Sequence, residues 1–402
     1  MNSRSNNAVL LSYSYALNDP HQTQTVGTLA QSGWKVTVLH PAPHGVFPSP
    51  PPAGVESHTY AGFTLAPKRP AALNRILHWI GYKRFVRNEI ATLNPNLVMT
   101  NMLYALSALP KKKNFHLISL IVDIPSLPDC GKHGYYVTRK GWKRLREADL
   151  VWASDKYKAQ LTQKYADLPD LPLVCHNCPP LDYLPVPVWP RDRWLRNELR
   201  RQGASIGENG GCILARVGAV GDYCGLEATL EAMLELPDDF VFVMMGRPSV
   251  AYKNSLLSNI TRLKLSKRAF FWELPSDEVW KKSLLGADIG HMIQGPFPPG
   301  APTRLYELNS SLSNYRLFQY MAAALPILAY DDPRMNELFA EVPCFRVLRL
   351  ENLKHDTLAA CVELSQDATL RQKIGIVGRD AHVRKYNWTT QFNPVLDKIL
   401  TL

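Results

Sequence analysis

Short, mainly apolar runs recur along the chain, each bounded by polar or turn-forming residues. In the first half they are Ala8–Tyr13, Lys35–Leu39, Asn96–Thr100, Phe115–Asp123, Asp149–Ser154 and Leu173–Asn177. In the second they are Cys212–Gly218, Phe240–Gly246, Ala269–Trp272, Ala287–Met292, Ile327–Ala329 and Phe345–Leu348. Runs this short that do not alternate with polar residues suit strands buried on both faces of a parallel sheet. Between them lie segments with helical spacing. His21–Ser32 turns Val26, Leu29 and Ala30 inward and has Gly33 past its end. Lys156–Tyr165, Trp142–Ala148, Glu227–Leu236, Pro275–Leu285, Arg334–Phe339 and Thr357–Leu364 follow the same rule. Strand, helix and strand within about thirty residues is a parallel βαβ unit, so the expected class is α/β.

The alternation breaks once. Leu181–Gly207 opens with prolines and continues into the arginine-rich Arg191–Arg201, which reads as a linker with an exposed basic helix. The predicted domains are 1–185 and 208–380, with 186–207 as the linker and 381–402 as a terminal helical segment. Pro41–Pro52 is expected to be a surface loop. Residues 70–93 carry two apolar stripes, Leu73, Ile76, Leu77, Ile80 and then Tyr82, Val86, Ile90, Leu93, either side of Gly81. With Arg75, Lys83, Arg84 and Arg87 alongside, this segment suits either an anionic membrane surface or a solvated basic face on core-packed helices.

One stretch concentrates the candidate chemistry. Ser310, Ser311, Ser313 and Asn314 are all plausible N-caps for a helix whose apolar face is Leu317, Tyr320, Met321 and Ala324. Pro326 ends it, and Ile327–Ala329 is a buried strand. Such a helix start gathers free N–H groups and the positive end of the helix dipole, which suits a phosphate, and Arg316 adds a full charge. The same arrangement also occurs where nothing binds. Gly218 and Gly221, in the loop after Cys212–Gly218, either let backbone approach a ligand or serve plain turns. Arg247 follows the strand ending at Gly246. Asp123 ends its strand and either orients an acceptor hydroxyl or caps the next turn.

Asn314–Ile327 resembles the P-N-K-L-F-E-Y-M-A-A-G-L-P-V signature of retaining glycosyltransferases of the GT-B fold, the family-four type also called glycosyl transferases group 1. Asp149–Ser154, Ala287–His291 and Tyr386–Thr389 resemble further segments of that family, in order, so the resemblance runs over nearly the whole chain. It implies two Rossmann-like domains facing a cleft, with the last helix crossing back to the first domain. It implies a nucleotide diphosphate sugar as donor substrate, and neither a metal nor a further cofactor. The diphosphate would lie at Ser311, Ser313, Asn314, Tyr315 and Arg316, near Gly218, Gly221 and Arg247, and Gln319 would meet the ribose. Arg316 and Asp123 would be the catalytic pair. Gly295–Ala301 would shape the cleft wall. The chain departs from the family at His21, Pro125, Cys224, Ser311, Gln319 and Ala324. Two alternatives therefore stand beside the transferase: a GT-B-fold binding or regulatory subunit without turnover, and a nucleotide-sugar epimerase.

Composition narrows the classes. The 402 residues suffice for two domains, and 46% hydrophobic with 20% charged residues is globular. No apolar run is long enough for a membrane span, and Ala8–Leu17 reads as a first strand rather than a signal peptide. Seven cysteines without a disulfide-like framework fit a reducing cytoplasm. Cys175-His176-Asn177-Cys178, with Cys130 and His133, has passable zinc-ligand types, but a strand end and turn account for it better. Net charge is +11, and Ser57–Val122 holds nine Lys or Arg against Glu89 alone. That surface would attract anionic lipid or a phosphorylated substrate. No nucleic-acid motif accompanies it, and no G-x-G-x-x-G follows the first strand. A saccharide or lipid-linked acceptor at the inner face of the plasma membrane, in glycan or surface-polysaccharide synthesis, is the expectation.

Overall fold

A computed structural model describes residues 6–13, 19–42, 50–62, 71–111, 114–122, 131–208, 210–273, 275–294 and 314–402. They form two compact units. The first comprises the described residues up to Asn177 together with Trp388–Leu402; the second comprises those from Cys178 to Asn387.

In the first unit, β1 (Asn7–Ser12), α1 (Pro20–Gln31), β2 (Lys35–Pro41), β3 (Val55–Tyr60), α2 (Ala71–Leu93) and β4 (Leu97–Asn101) come first. They are followed by α3 (Met102–Ala108), β5 (His116–Ile121), α4 (Gly131–Leu145), β6 (Leu150–Ala153), α5 (Lys156–Ala166) and β7 (Leu173–Val174). The strands make a parallel sheet in the order β3-β2-β1-β4-β5-β6-β7, with Leu10 opposite both Val38 and Met99. Each central strand feeds two cores, which is why the sequence shows unbroken apolar runs. Ala8 and Leu10 pack on one face with Val36, Val38 and Met99; Val9 and Leu11 pack on the other with Leu39, Val98 and Leu117. The terminal helix Trp388–Thr401 covers the first of these faces with Trp388, Phe392, Val395 and Ile399. Trp388 Nε1 donates to Thr28 Oγ1 on α1 at 2.9 Å and its ring stacks on Phe392.

In the second unit, α6 (Trp194–Arg201), β8 (Cys212–Val217), α7 (Leu226–Ala232), β9 (Phe240–Gly246), α8 (Val250–Arg262) and β10 (Ala269–Glu273) lead. Then come α9 (Asp277–Gly286), β11 (Ile289–Met292), α10 (Tyr315–Ala322), β12 (Ile327–Tyr330), α11 (Asn336–Glu341), β13 (Phe345–Leu348), α12 (Leu353–Gln366) and α13 (Ala368–Arg384). The parallel sheet runs β10-β9-β8-β11-β12-β13. The two-Rossmann α/β class expected from the sequence is the one observed.

Several expectations need correction. The 186–207 segment is not an exposed linker helix: it belongs to the second unit, and α6 buries Leu195, Leu199 and Arg196. Its hydrophobic side was masked by five flanking charges. β3 was missed because V-E-S-H-T-Y is polar; it is an edge strand in which only Val55 is buried. α2 is one continuous helix through Gly81, and its two stripes part company. Tyr82, Val86 and Ile90 are core, whereas Leu73, Ile76 and Ile80 are 40–43% exposed. Among the described residues no helix is long and apolar enough to cross a membrane, and no group of His, Cys, Asp or Glu is placed to hold a metal ion.

Candidate functional site

In an open parallel sheet, ligands gather beyond the strand C-termini at the point where strand order reverses. In the second unit that point lies between β8 and β11. β8 runs out into Gly218, whose φ of +94° is left-handed. A Cβ there would stand 2.9 Å from Arg316 Nη2, so the loop backbone and the guanidinium lie in direct contact. Gly246, at the end of β9, is required by packing too: a Cβ on it would fall 1.8 Å from Gly218 O.

α10 follows β11, so its N-terminus lies at this same edge. Asn314 is its N-cap, with Oδ1 accepting from Arg316 N at 3.3 Å. The C-terminal end is closed as a Schellman motif: Leu325 N donates to Tyr320 O and Ala324 N to Met321 O. Ala324 holds the left-handed position at φ +51°, where glycine would sit without strain. Two arginines satisfy the remaining carbonyls. Arg191 donates to Ala323 O and Ala324 O, and Arg379 to Ala322 O. Tyr320 locks the middle of the helix to the sheet. Its hydroxyl accepts from Val217 N and donates toward Ala215 O and His291 O, and its ring lies on Gly290.

Arg316 is only 5% exposed. Its Nη2 reaches Ala219 O at 3.5 Å, the limit of a hydrogen bond, and Nε and Nη1 have no partner among the described residues. Burial, then the neighbouring Arg216, push its pKa down to about 10. Arg216, also buried, is the opposite case. It donates to Ala219 O, Ile293 O, Cys224 O and Sγ, and to His291 Nδ1 at 3.0 Å. Because an arginine only donates, His291 Nδ1 must accept and Nε2 must carry the proton, which points to Thr229 Oγ1. His291 is thus neutral, and burial holds its pKa well below the ordinary value. The site therefore presents one saturated and one unsaturated buried guanidinium. The unsaturated one is the natural partner for an anion.

Of the residues expected here, Gly218, Asn314 and Arg316 come together. Tyr315 rests edge-on against Tyr183, and the Gln319 amide donates to the Tyr183 hydroxyl. Gly221 abuts Tyr223, and Arg247 is exposed just past β9. Cys224 faces Arg216 in the interior. Asp123, Ser311, Ser313, Pro125 and Gly295–Ala301 lie outside the described residues.

The first unit has its own reversal point, between β1 and β4, which the sequence reading did not identify. Tyr13, just past β1, stacks on Tyr104 at 5.6 Å and meets Tyr82 and Trp79 edge-on. Asn101 ends β4 buried, its Oδ1 unpartnered among the described residues, and Met102 follows in the left-handed region at φ +67°. A side-chain-bearing residue held there is strained by order 1–3 kcal/mol, and such strain clusters at functional sites. The available signal was an aromatic immediately past β1 and another just past β4. His21 is not part of this array: it is buried edge-on against Trp388, and burial lowers its pKa to about 3.

No family model matches the chain, and no curated protein matches it. Its architecture does match solved structures. It is the two-domain GT-B arrangement of parallel Rossmann-like sheets. HepE from Anabaena, in complex with UDP, aligns at TM-score 0.68 with 15% identity over 98% of this chain and 100% of that one. Sucrose-phosphate synthase from Thermosynechococcus elongatus aligns at 0.71 with 15% identity, over 98% and 99%. WaaG, a glycosyltransferase involved in lipopolysaccharide biosynthesis, aligns at 0.63 with 14% identity, over 98% and 99%.

Proposed function

We propose that the chain is a glycosyltransferase whose donor is a nucleotide diphosphate sugar. The observation that carries the reading is the buried Arg316 guanidinium, unsatisfied at Nε and Nη1 among the described residues, against Gly218 at the reversal point of the second unit. Breaking the anomeric C–O bond leaves negative charge on the departing diphosphate. A fixed cation in a water-poor site stabilises that charge without reorganising. The α10 N-terminus adds its dipole from the same side. Structural neighbours solved with UDP and with UDP-glucose support a uridine nucleotide as the first donor to try. Transfer with retention at the anomeric carbon is part of the same reading.

The acceptor hydroxyl is assigned to the first unit. There Tyr13 and Tyr104 offer ring faces on which the C–H face of a sugar can pack, and Asn101 offers a hydrogen-bond acceptor. The exposed Leu73, Ile76 and Ile80 with Arg84 and Arg87 support contact with an anionic membrane and so a lipid-linked acceptor in surface-polysaccharide synthesis, from the cytoplasmic side.

A panel of UDP-, GDP- and ADP-sugars tests the donor by thermal shift. One nucleotide class should raise the melting temperature of wild type and leave Arg316→Met unmoved; no shift with any of them rejects the assignment. Sedimentation with anionic vesicles tests the surface, and Ile76→Glu with Ile80→Glu should abolish it. A binding subunit without turnover remains the second reading, because Gln319, where the family carries a carboxylate, is held by Tyr183. Nucleotide binding without sugar release or transfer would favour it. Isomerised donor without transfer would favour an epimerase.

A further inference from the structure

A cavity of about 300 Å³ opens at the other edge of the second sheet, at the strand N-termini. Gly211 precedes β8 and Asp288 precedes β11, and both line it. Its remaining walls include Arg191, Arg193, Arg196 and Arg371, four arginines against the carboxylates of Asp288 and Glu208. This volume is at the lower end of the range for small-molecule sites.

The charges do not cancel pairwise. Asp288 Oδ2 is committed to Arg196 Nη2 at 2.8 Å and to Ile213 N at 2.9 Å. Arg196 spends its other donors on Gly210 O and Gly211 O. Arg371 gives Nη1 to Leu364 O and Ser365 O, while its Nε lies 3.8 Å from Asp288 Oδ1, beyond hydrogen-bond reach. Arg191 gives both Nη groups to the carbonyls ending α10. The Nε atoms of Arg191 and Arg371 have no hydrogen-bond partner among the described residues, although both side chains are more than nine-tenths buried; Arg371 Nε still faces the Asp288 carboxylate, and the Arg191 guanidinium lies over the Trp189 ring. α13 also begins here, with Ala368 on the wall and Asp367 capping Leu370 N.

We propose that this pocket is a second anion site that takes a phosphate group, free or as the ester of a small polar molecule. A dianionic phosphate has three strong acceptor oxygens to set against the net positive wall that the lining arginines present, with Arg193 exposed at the rim. Two buried cations with donors to spare are costly empty and favourable when paired. Burial and the adjacent Arg371 depress Arg191 to about 10 against the opposing pull of Asp288. The site is distinct from that of Arg316 and does not rest on the proposed donor chemistry.

The experiment titrates the full-length protein at low salt with orthophosphate, with glucose 6-phosphate and with glucose, following melting temperature and heat of binding. Saturable binding of either phosphate, with none for glucose, is expected; the tighter of the two identifies the free or esterified form. Arg193→Glu should weaken it by about tenfold or more while the unliganded melting temperature is unchanged, since the side chain is exposed. Arg316→Met should bind as wild type does. No saturable binding up to about 10 mM overturns the proposal, as does undiminished affinity in Arg193→Glu or loss of binding in Arg316→Met.

Discussion

Replacing Arg316 by Met should make the unliganded protein more stable and at the same time remove its response to nucleotide. The magnitude follows from the site. A fall in pKa from 12.5 to about 10 means that the folded state disfavours the charged guanidinium by about 3 kcal/mol. The side-chain interactions lost among the described residues are small: one hydrogen bond at the 3.5 Å limit, to Ala219 O. Methionine has a similar length and adapts to irregular space, so the cavity left behind should cost about 1 kcal/mol. The net is a gain of order 1–3 kcal/mol, or a rise in melting temperature of roughly 2–12 °C for a unit of this size. Wild type at a hundredfold excess of nucleotide over its Kd should gain about 2.7 kcal/mol, and the variant nothing. Scanning calorimetry with and without UDP reads both terms. Arg216→Met is the control of opposite sign. It would strip donors from Ala219 O, Ile293 O, Cys224 O and His291 Nδ1 and should cost about 3–5 kcal/mol. An Arg316→Met protein that melts well below wild type, or keeps the full nucleotide shift, refutes the reasoning.

Buried histidines make stability depend on pH. His21 and His382 are depressed to about 3 and about 4, and His291 lies well below 6.5, so between those values and 6.5 the unfolded chain binds protons the folded one does not. Stability is therefore full above about pH 6.5 and falls on acidification, by about 2 kcal/mol for each of His21 and His382 at about pH 5, with His291 acting in the same direction. Equal urea midpoints at neutral and mildly acid pH would contradict this. Ala324→Gly should raise stability by up to about 1 kcal/mol, the relief at φ +51° less the greater freedom glycine gives the unfolded chain; a loss in chemical denaturation would show that the alanine is unstrained. Phe392→Ala should cost about 3–5 kcal/mol because its ring is sealed between Trp388 and Trp152 in the first unit. An unchanged melting profile would mean that the terminal helix is dispensable.

Local pattern was enough for much of this protein. Two-faced burial writes itself into a strand as an unbroken apolar run, so most strands of both sheets could be read in order. Capping and dipole rules pointed to a helix start at one of Ser310, Ser311, Ser313 and Asn314, and Pro326 to its stop, because both act within a few residues. β3 escaped notice because an edge strand carries polar residues, and α6 was read as an exposed helix because the charges around Leu195 and Leu199 hid its buried side. What the sequence could not settle is which charges are satisfied. Arg216 and Arg316 are the same residue type beside the same loop, yet only one is saturated, and the contact that joins Arg316 to Ala219 spans 97 positions of chain. Likewise Arg191 read as part of an exposed helix, and only folding brought it beneath Ala323 and Ala324 and beside Arg371. Hydrogen-bond satisfaction of a buried ion depends on neighbours distant in sequence. The elements were therefore set by local propensity and burial pattern, while the tertiary structure alone decided where an anion is wanted.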